Sequence, residues 1–325
     1  KIIFVAILIL IILYTFRGSW RDILNQLAKT SPLIILLIGG ASVVYHLFEG
    51  WITCSLSKRY NPRFRYRDGV YCAFFCSFYR LSTLGSGQGV AAVIFLGKKE
   101  VGYSEATGLY MIQYMLHKVS IALFSGIFFV INWKVMSHHY KNYAGYLILA
   151  YVLTVLIAIG LILLAVYPKS HSLILWLGNK LNFHHKLDGM LKKLENGARI
   201  MEKSTSELLK DWKTIVIIVL KNLAKLCFWY SIPFLILLGS GEISILTSLS
   251  VTSLSVMTAA VIPTPAGIGS TELIMTSLYS LVVDVNKAGA ITLLYRIATF
   301  IFPFVVGGAL ILAGRSLKRF LKPSR

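Results

Sequence analysis

Charged residues are scarce in this 325-residue chain, and their scarcity excludes most soluble classes of protein. Asp, Glu, Lys and Arg make up 14% of the sequence, against about 25% in an ordinary soluble domain. Hydrophobic residues make up 56%, which is more than a soluble core can bury. The composition excludes a soluble enzyme, a disordered tail and a secreted disulfide scaffold. It predicts an all-α, polytopic membrane helix bundle that forms a single domain over residues 1–325.

Cysteine is also rare, and the usual signs of catalysis are missing. The four cysteines lie in apolar segments without nearby His or carboxylate groups, which favours small core residues over a disulfide or metal framework. The sequence contains neither Gly-x-Ser-x-Gly nor Gly-x-x-x-x-Gly-Lys-Ser/Thr. We therefore expect no catalytic residues, no metal and no cofactor, and any transport would be passive or coupled to an ion.

Positive charge is concentrated in a few loops. The net charge is +20, and in membrane proteins an excess of Lys and Arg marks the cytoplasmic loops. If segments 70–97 and 243–283 each enter and leave on one side, 22 of the 33 basic residues become cytoplasmic, chiefly in 57–68, 168–213 and the C-terminal tail. We therefore expect no bound nucleic acid, a location in the cell membrane and cytoplasmic N- and C-termini.

The polar stretch 168–213 is the longest in the chain, yet it is too short to be a catalytic domain. Its apolar residues recur at helical spacing among lysines, which predicts an amphipathic helix on the cytoplasmic membrane surface. Because the sequence begins at Lys1 rather than at methionine, we expect a short leader to precede this numbering.

Helix-breaking residues interrupt two of the apolar segments. They are Gly85, Gly87 and Gly89 in the first segment, and Pro263, Pro265, Gly267 and Gly269 in the second. Broken backbone at membrane depth is tolerated only where it is buried in protein or lines a cavity. The breaks predict two re-entrant hairpins, 70–97 and 243–283, beside about six full spans. The alternative at each break is a simple kink in a long helix.

The two breaks resemble each other and indicate an internal repeat. Gly87-Gln88-Gly89 and Gly267-Ile268-Gly269 lie 180 residues apart, and each precedes an apolar arm, a polar turn and a full helix. By the charge pattern the first hairpin opens to the cytoplasm and the second to the outside. Such an inverted repeat places a substrate site near the middle of the bilayer. Helices starting after Gly89 and Gly269 would direct their N–H groups toward an anion.

Charged residues inside the apolar segments are the candidate binding residues, because a charge at mid-bilayer costs ~3 kcal/mol or more. Five are basic and two are acidic, a balance of +3 that favours an anionic or phosphate-bearing substrate: Arg80, Lys118, Lys221, Lys225, Arg296, Glu49 and Glu272. The predicted substrate-binding residues are Arg80, Gln88, Lys118, Lys225, Glu272 and Arg296.

Several of these charges have an alternative, purely structural interpretation. Lys221 lies near a helix end and can extend its amine to the membrane surface. Glu49 and His46 could form a proton relay or simply be polar residues in a helix interface, and His117 could be a hydrogen-bonded core residue. Glu272 and Arg296 could form a buried ion pair that fixes the second hairpin, whereas in the functional interpretation Arg296 binds an anionic head group.

The second half of the chain resembles the lysylphosphatidylglycerol synthase/flippase membrane-domain family. The segment from Pro263 to Glu272, the run Leu294-Tyr295-Arg296 and the glycine pair Gly307-Gly308 are similar to the family signature Pro-x-Pro-Gly-Gly-x-Gly-x-x-Glu, then Leu-Tyr-Arg. In the first half, Leu84-Gly85-Ser86-Gly87 stands where proline-rich residues are common. The resemblance implies a multi-span bundle that moves lipids between leaflets, and we expect this chain to lack the cytoplasmic aminoacyl-transferase domain of larger members.

Three functions follow from these observations. The first is a lipid translocase that moves an anionic or aminoacylated phospholipid, or a glycolipid, through a polar cavity at the bilayer midplane. The second is the membrane component of a phosphatidylglycerol lysyltransferase-type enzyme, with a separately encoded transferase as partner. The third is a non-transporting partner of a lipid-synthesis complex. The sequence leaves the lipid, the direction of movement and the oligomeric state open.

Overall fold

The chain folds into a bundle of α-helices. The computed structural model describes residues 30–166, 211–262 and 264–313, and these residues contain twelve α-helices and no strand. In chain order the helices are α1 (Pro32–Ser57), α2 (Tyr66–Ser82), α3 (Gly87–Gly97), α4 (Tyr103–Ile131), α5 (Trp133–His139), α6 (Ala144–Val166), α7 (Trp212–Tyr230), α8 (Ile232–Ile236), α9 (Ile245–Val261), α10 (Ser270–Tyr279), α11 (Val285–Arg296) and α12 (Phe302–Leu312). A π-helical turn, Ile297–Ile301, joins α11 to α12. The predicted all-α polytopic bundle is confirmed.

Five helical segments within the described residues are long and apolar enough to cross a membrane. They are Pro32–Ser57, Tyr103–Ile131, Lys141–Gly160, Trp212–Ile236 and Val285–Leu312. The expected first span, residues 2–16, lies outside the described residues, as do all but the last three residues of the amphipathic segment 168–213.

The first broken segment forms a helical hairpin, with α2 and α3 as its two arms. Leu84 and Gly85 adopt left-handed conformations with φ of 51° and 99°, which reverses the chain between the arms. Asp68, near the start of α2, forms a 2.8 Å ion pair with Lys99, just after the end of α3. The two open ends of the hairpin therefore lie together on one face of the bundle.

The sequence predicts that the second arm starts after Gly89, but α3 begins at Gly87. The reason is local: the Gly87 N–H donates to the Thr83 hydroxyl at 2.6 Å, so the first turn of α3 starts immediately after the reversal. Gly87 and Gly89 are consequently part of the helix, and only Gly85 of these three glycines has a positive φ.

The second broken segment forms a matching hairpin from α9 and α10. Its tip turns through Ala266 and Gly267, whose φ values are 55° and 73°. The left-handed conformation costs a non-glycine residue about 1–2 kcal/mol, and Ala266 stands where the family signature has glycine. The Tyr279 hydroxyl, at the end of α10, lies 2.7 Å from Thr252 Oγ1 on α9, so these arms also fold back on each other. Pro263 lies outside the described residues.

The helices repeat in the same order along the chain. Helices α1 to α4 correspond to α7, α9, α10 and α11, and corresponding helices begin 179 to 183 residues apart. The long helix α6 stands between the two repeats without a counterpart in the described residues. This offset agrees with the 180-residue spacing of the two glycine motifs in the sequence.

Contacts between helix ends show that the two repeats run in opposite directions. Arg59, after the end of α1, donates to Asp211 and Thr214 at the start of α7. On the opposite face, the Tyr140 hydroxyl donates to the Leu278 carbonyl at the end of α10, over 2.9 Å. Hydrogen bonds from Thr214 hold the pKa of the Asp211 carboxyl below its ordinary value. The first hairpin opens on the Arg59 face and the second on the Tyr140 face.

Glycines let α2 approach its neighbours closely. A Cβ on Gly50 of α1 would lie 2.5 Å from the backbone nitrogen of Val70, and a Cβ on Gly69 of α2 would collide with the Gly50 carbonyl. On the other side, a Cβ on Gly307 of α12 would collide with the carbonyl of Phe74. Small residues at such crossings allow membrane helices to pack backbone against backbone. Helix α2 is thereby held firmly between α1 and α12.

Candidate functional site

The tips of the two hairpins meet inside the bundle. A Cβ on Gly85, at the first tip, would lie 3.1 Å from the backbone nitrogen of Ala266, at the second tip. Phe78, Phe300 and Phe304 form a buried cluster against which Ala266 packs. The two broken segments, which the sequence predicts to line a common site, are therefore in direct contact.

A small cavity lies beside the hairpin tips and is lined from both repeats. Its volume is about 60 Å³, which is room for about four water molecules. The polar groups in its wall come from α1, α2, α3, α4 and the π-helical turn: Tyr45, His46, Glu49, Thr53, Cys72, Cys76, Ser77, Arg80, Gln88, Tyr110, Gln113 and Thr299. Of the predicted site residues, the cavity wall contains Arg80 and Gln88.

Arg80 is a cation in the cavity wall that lacks an anionic partner. In the described part of the chain it makes no ion pair and no side-chain hydrogen bond. Its guanidinium carbon lies 5.5 Å from the centre of the Phe300 ring, a distance at which a cation–π attraction operates. Arg80 lies on α2 one turn after Cys76 and two turns after Cys72, so it shares the face of that helix that lines the cavity. Its five N–H donors are available to an anion there.

Glu49 also lines the cavity, but its charge is already balanced. Lys225 of α7, whose side chain is 1% exposed, forms an ion pair with Glu49 Oε2, and the Gln113 amide donates to Glu49 Oε1 over 2.7 Å. Both carboxylate oxygens are thus engaged by groups from other helices. The pair joins α1 of the first repeat to α7 of the second, and its net charge is zero.

A second ion pair lies close to the hairpin tip. Arg296 Nε donates to Glu272 Oε1 over 2.8 Å, and the other oxygen of Glu272 accepts from the Gly269 N–H over 2.8 Å. The carboxylate therefore occupies the N-terminus of α10, where the sequence predicted an anionic ligand. Arg296 is 5% exposed, and its Nη2 is buried without a hydrogen-bond partner. Its guanidinium carbon lies 4.3 Å from the centre of the Phe300 ring.

His46 is held by hydrogen bonds on both of its ring nitrogens. Nδ1 donates to the Ser42 carbonyl over 2.8 Å, and Nε2 lies 2.9 Å from the Ser77 hydroxyl. Its ring also stacks on Phe74 with 4.4 Å between ring centres. These contacts join α1 to α2, whereas Glu49 binds Lys225 and Gln113 rather than His46.

Two of the embedded lysines lie outside the cavity wall. Lys118 lies 5.3 Å from the centre of the Tyr114 ring, one turn earlier on α4. Lys221 donates to the Ser55 hydroxyl over 2.8 Å and lies 4.1 Å from the centre of the Trp51 ring. The sequence balance of +3 therefore overstates the charge at the site, because two cations are paired with acids and two lie elsewhere. The cavity wall carries one uncompensated charge, that of Arg80.

Sequence reasoning missed two residues that the structure places at the site. Gln113 bridges to Glu49, and Phe300 contacts both Arg80 and Arg296. A polar amide in the middle of the apolar run of α4 is a signal that could have identified Gln113. Phe300 has no comparable signal, because one phenylalanine among 18 looks like any other apolar residue of a membrane span.

Together these features define a polytopic α-helical membrane protein with two inverted repeats, two hairpins in contact at their tips and a polar cavity beside those tips. The chain belongs to the family described as the lysylphosphatidylglycerol synthase TM region, whose model matches residues 1–307. The comparison with curated proteins finds none that matches the chain. Membership of this family connects the bundle with membrane lipids, and the matched range includes helices of both repeats.

Proposed function

We propose that this chain is a lipid translocase, which moves an anionic or aminoacylated phospholipid, or a glycolipid, between the two leaflets. The observation that carries the proposal is the position of Arg80. It is an unpaired cation in a polar cavity, at the point where two oppositely directed hairpins meet. A half-buried cation without an anionic partner is costly at membrane depth, and an anionic head group would lower that cost.

The chemistry of the cavity wall suits a head group that combines a phosphate with hydrogen-bonding groups. The guanidinium of Arg80 can hold a phosphate through two parallel N–H···O bonds. Gln88 lines the same cavity and offers both donors and an acceptor to hydroxyl or amine groups. A neutral, apolar ligand would leave these groups unpaired, so the wall discriminates against it.

The size of the cavity indicates that the hairpins must move during transport. A volume of about 60 Å³ holds only a few waters, which is much less than a phospholipid head group. The head group would enter when one hairpin moves away from the other, while the acyl chains stay in the bilayer. Because the repeats are inverted, equivalent movements of the two hairpins would open the cavity to opposite faces. Transport in this scheme is passive or coupled to an ion.

The same proposal assigns an orientation. The face that carries Arg59, Arg63, Lys98 and Lys99 holds the excess of basic residues and would be cytoplasmic in the cell membrane. The N- and C-termini would then also be cytoplasmic. The binding partners of the chain would be membrane lipids. The same orientation is compatible with an oligomer of this chain.

A second candidate function is the membrane component of a phosphatidylglycerol lysyltransferase-type enzyme. The family description, which names a synthase, favours it. In that case a separately encoded transferase would supply the aminoacyl group, and the cavity would hold the phosphatidylglycerol acceptor rather than pass it across. A non-transporting partner of a lipid-synthesis complex would use the bundle without the cavity.

Substitution of Arg80 should separate these functions. In proteoliposomes containing fluorescent phosphatidylglycerol, wild-type protein should expose the inner-leaflet label to an impermeant reductant much faster than protein-free vesicles do. Arg80→Gln should slow this rate by about tenfold or more, because a neutral amide replaces a charge-assisted bond to phosphate. The matched control is Lys221→Gln, an embedded cation outside the cavity wall, which should stay within about twofold of wild type.

An Arg80→Gln rate equal to that of a wild type that moves lipid would contradict the role of Arg80. The translocase itself is contradicted by an equal rate for wild-type and protein-free vesicles with anionic, aminoacylated and glycolipid probes alike. If cells that lack the chain also lose aminoacylated lipid, the result favours the transferase component over the translocase.

A further inference from the structure

One phenyl ring in the described structure is shared by two guanidinium groups, the buried one of Arg296 and the half-buried one of Arg80. The Phe300 ring centre lies 5.5 Å from the guanidinium carbon of Arg80 and 4.3 Å from that of Arg296. The ring is 4% exposed and forms part of the cavity wall. Two like charges at one ring repel each other in a low-dielectric interior, unless negative charge density lies near both.

Phe300 partly supplies that negative charge density. The face of an aromatic ring is electron-rich and attracts cations, more strongly where water is excluded. The described structure gives the Arg80 guanidinium a cation–π contact with this ring. For Arg296 the ring partly replaces the hydrogen bond that Nη2 lacks. A phosphate oxygen would be a stronger partner for both groups, because charge-assisted hydrogen bonds exceed cation–π contacts in strength.

The backbone at Phe300 is also unusual. Residues 297–301 form a π-helical turn between α11 and α12, and such turns are rare and found frequently at functional sites. Without the additional residue of the π turn, Phe300 would be rotated away from its present position on the helix. The turn therefore places the ring against both guanidinium groups.

From these observations we propose that Phe300 occupies a phosphate site formed by Arg80 and Arg296, and that an incoming phosphate displaces the ring. The proposal rests on the lipid-translocase function and adds to it a binding mode. In the empty protein the ring keeps the cavity small and keeps Arg296 out of the cavity wall. When the ring swings away, the cavity enlarges and Arg296 joins Arg80 as a second phosphate ligand, while Glu272 remains on its Nε.

The test compares ligand binding in two phenylalanine variants. Phe300→Ala removes the ring from the site. The matched control is Phe304→Ala, one turn later, whose ring is equally buried and stacks on Phe78 with 5.0 Å between ring centres, but does not line the cavity. Phe300→Leu keeps most of the side-chain volume without the electron-rich face, and it is the alternative if Phe300→Ala fails to fold. Affinities are measured in detergent with dihexanoyl phosphatidylglycerol and, separately, with inorganic phosphate.

We expect Phe300→Ala to bind the short-chain phosphatidylglycerol roughly tenfold more tightly than wild type does, because no ring has to be displaced. Phe300→Leu should show a smaller gain, and Phe304→Ala none. Adding Arg80→Gln to Phe300→Ala should abolish the gain. If inorganic phosphate shows the same gain, the site recognises phosphate itself, whereas a gain for the lipid alone shows that glycerol or acyl groups are also read.

The proposal is overturned if Phe300→Ala binds no more tightly than wild type and Phe304→Ala, since the ring would then be ordinary core packing. This failure is distinguishable from failure of the translocase, which is measured by lipid movement in wild-type vesicles. A wild type that moves lipid, with unchanged affinity in Phe300→Ala, contradicts only the displaced ring. If wild type moves no lipid but Phe300→Ala binds more tightly, the phosphate site is supported and the transport function is contradicted.

Discussion

Lys225→Met should be among the most destabilising single substitutions in the described part of the chain. It leaves the Glu49 carboxylate in the interior with only the Gln113 amide to balance it. Breaking a buried pair by removing one partner typically costs about 3–5 kcal/mol, because the remaining charge is uncompensated. Unfolding in detergent with increasing denaturant should show this loss directly.

A second substitution makes this prediction specific to the pair. The double variant Lys225→Met/Glu49→Gln should recover most of the lost stability, because a neutral amide replaces the stranded carboxylate. The matched single variant Lys221→Met, on the same helix, loses a hydrogen bond to Ser55 and a cation–π contact with Trp51, and should cost at most about 1 kcal/mol. A double variant no more stable than Lys225→Met would contradict the assignment of the pair.

Gly50→Ala is expected to have the second large effect. A Cβ at this position would lie 2.5 Å from the backbone nitrogen of Val70, and backbone atoms cannot move aside as a flexible side chain can. The α1–α2 crossing would have to widen, at a cost of about 1–3 kcal/mol or more. Because α2 carries Arg80, the same substitution should also slow lipid movement.

The control for this prediction lies on the same helix. A Cβ on Gly40 of α1 would have no neighbouring atom within 4 Å, so Gly40→Ala should leave stability unchanged or raise it by up to about 1 kcal/mol through better helix propensity. Thermal unfolding of the purified variants gives both values. Equal stability losses at Gly40 and Gly50 would show that helix crossing distance is not what Gly50 provides.

The sequence predicts the architecture well because its strongest signals are local. Apolar runs predict the spans, and the glycines and prolines of two segments predict where the helices break. Gly85 and Gly267 indeed have positive φ values. The repeat offset of 180 residues also appears in the helix starts. The spans and breaks depend on a few neighbouring residues, and the repeat emerges from comparing two such local motifs, so all of them can be inferred from a single sequence.

The partners of the embedded charges could not be predicted in the same way. Glu49 and Lys225 are 176 residues apart, and their pairing depends on how α1 packs against α7. The pairing of Glu272 with Arg296, 24 residues apart, was within reach because one hairpin and the next helix are neighbours. The charge balance at the cavity therefore depends on how the helices pack. The same packing distinguishes Arg80, which lines the cavity without an anionic partner, from the four other embedded cations.

Two native cysteines allow the central claim to be tested most directly, since Cys72 and Cys76 are free thiols in the cavity wall. The claim is that this cavity opens to each membrane face in turn. In a chain carrying Cys54→Ala and Cys227→Ala, reconstituted in phosphatidylcholine vesicles, a charged, impermeant thiosulfonate is added outside or trapped inside. We predict that Cys72 or Cys76 is labelled from either face, and more slowly when phosphatidylglycerol is present. Thiols that stay unlabelled from both faces, yet react after denaturation, would show a sealed cavity and contradict the claim.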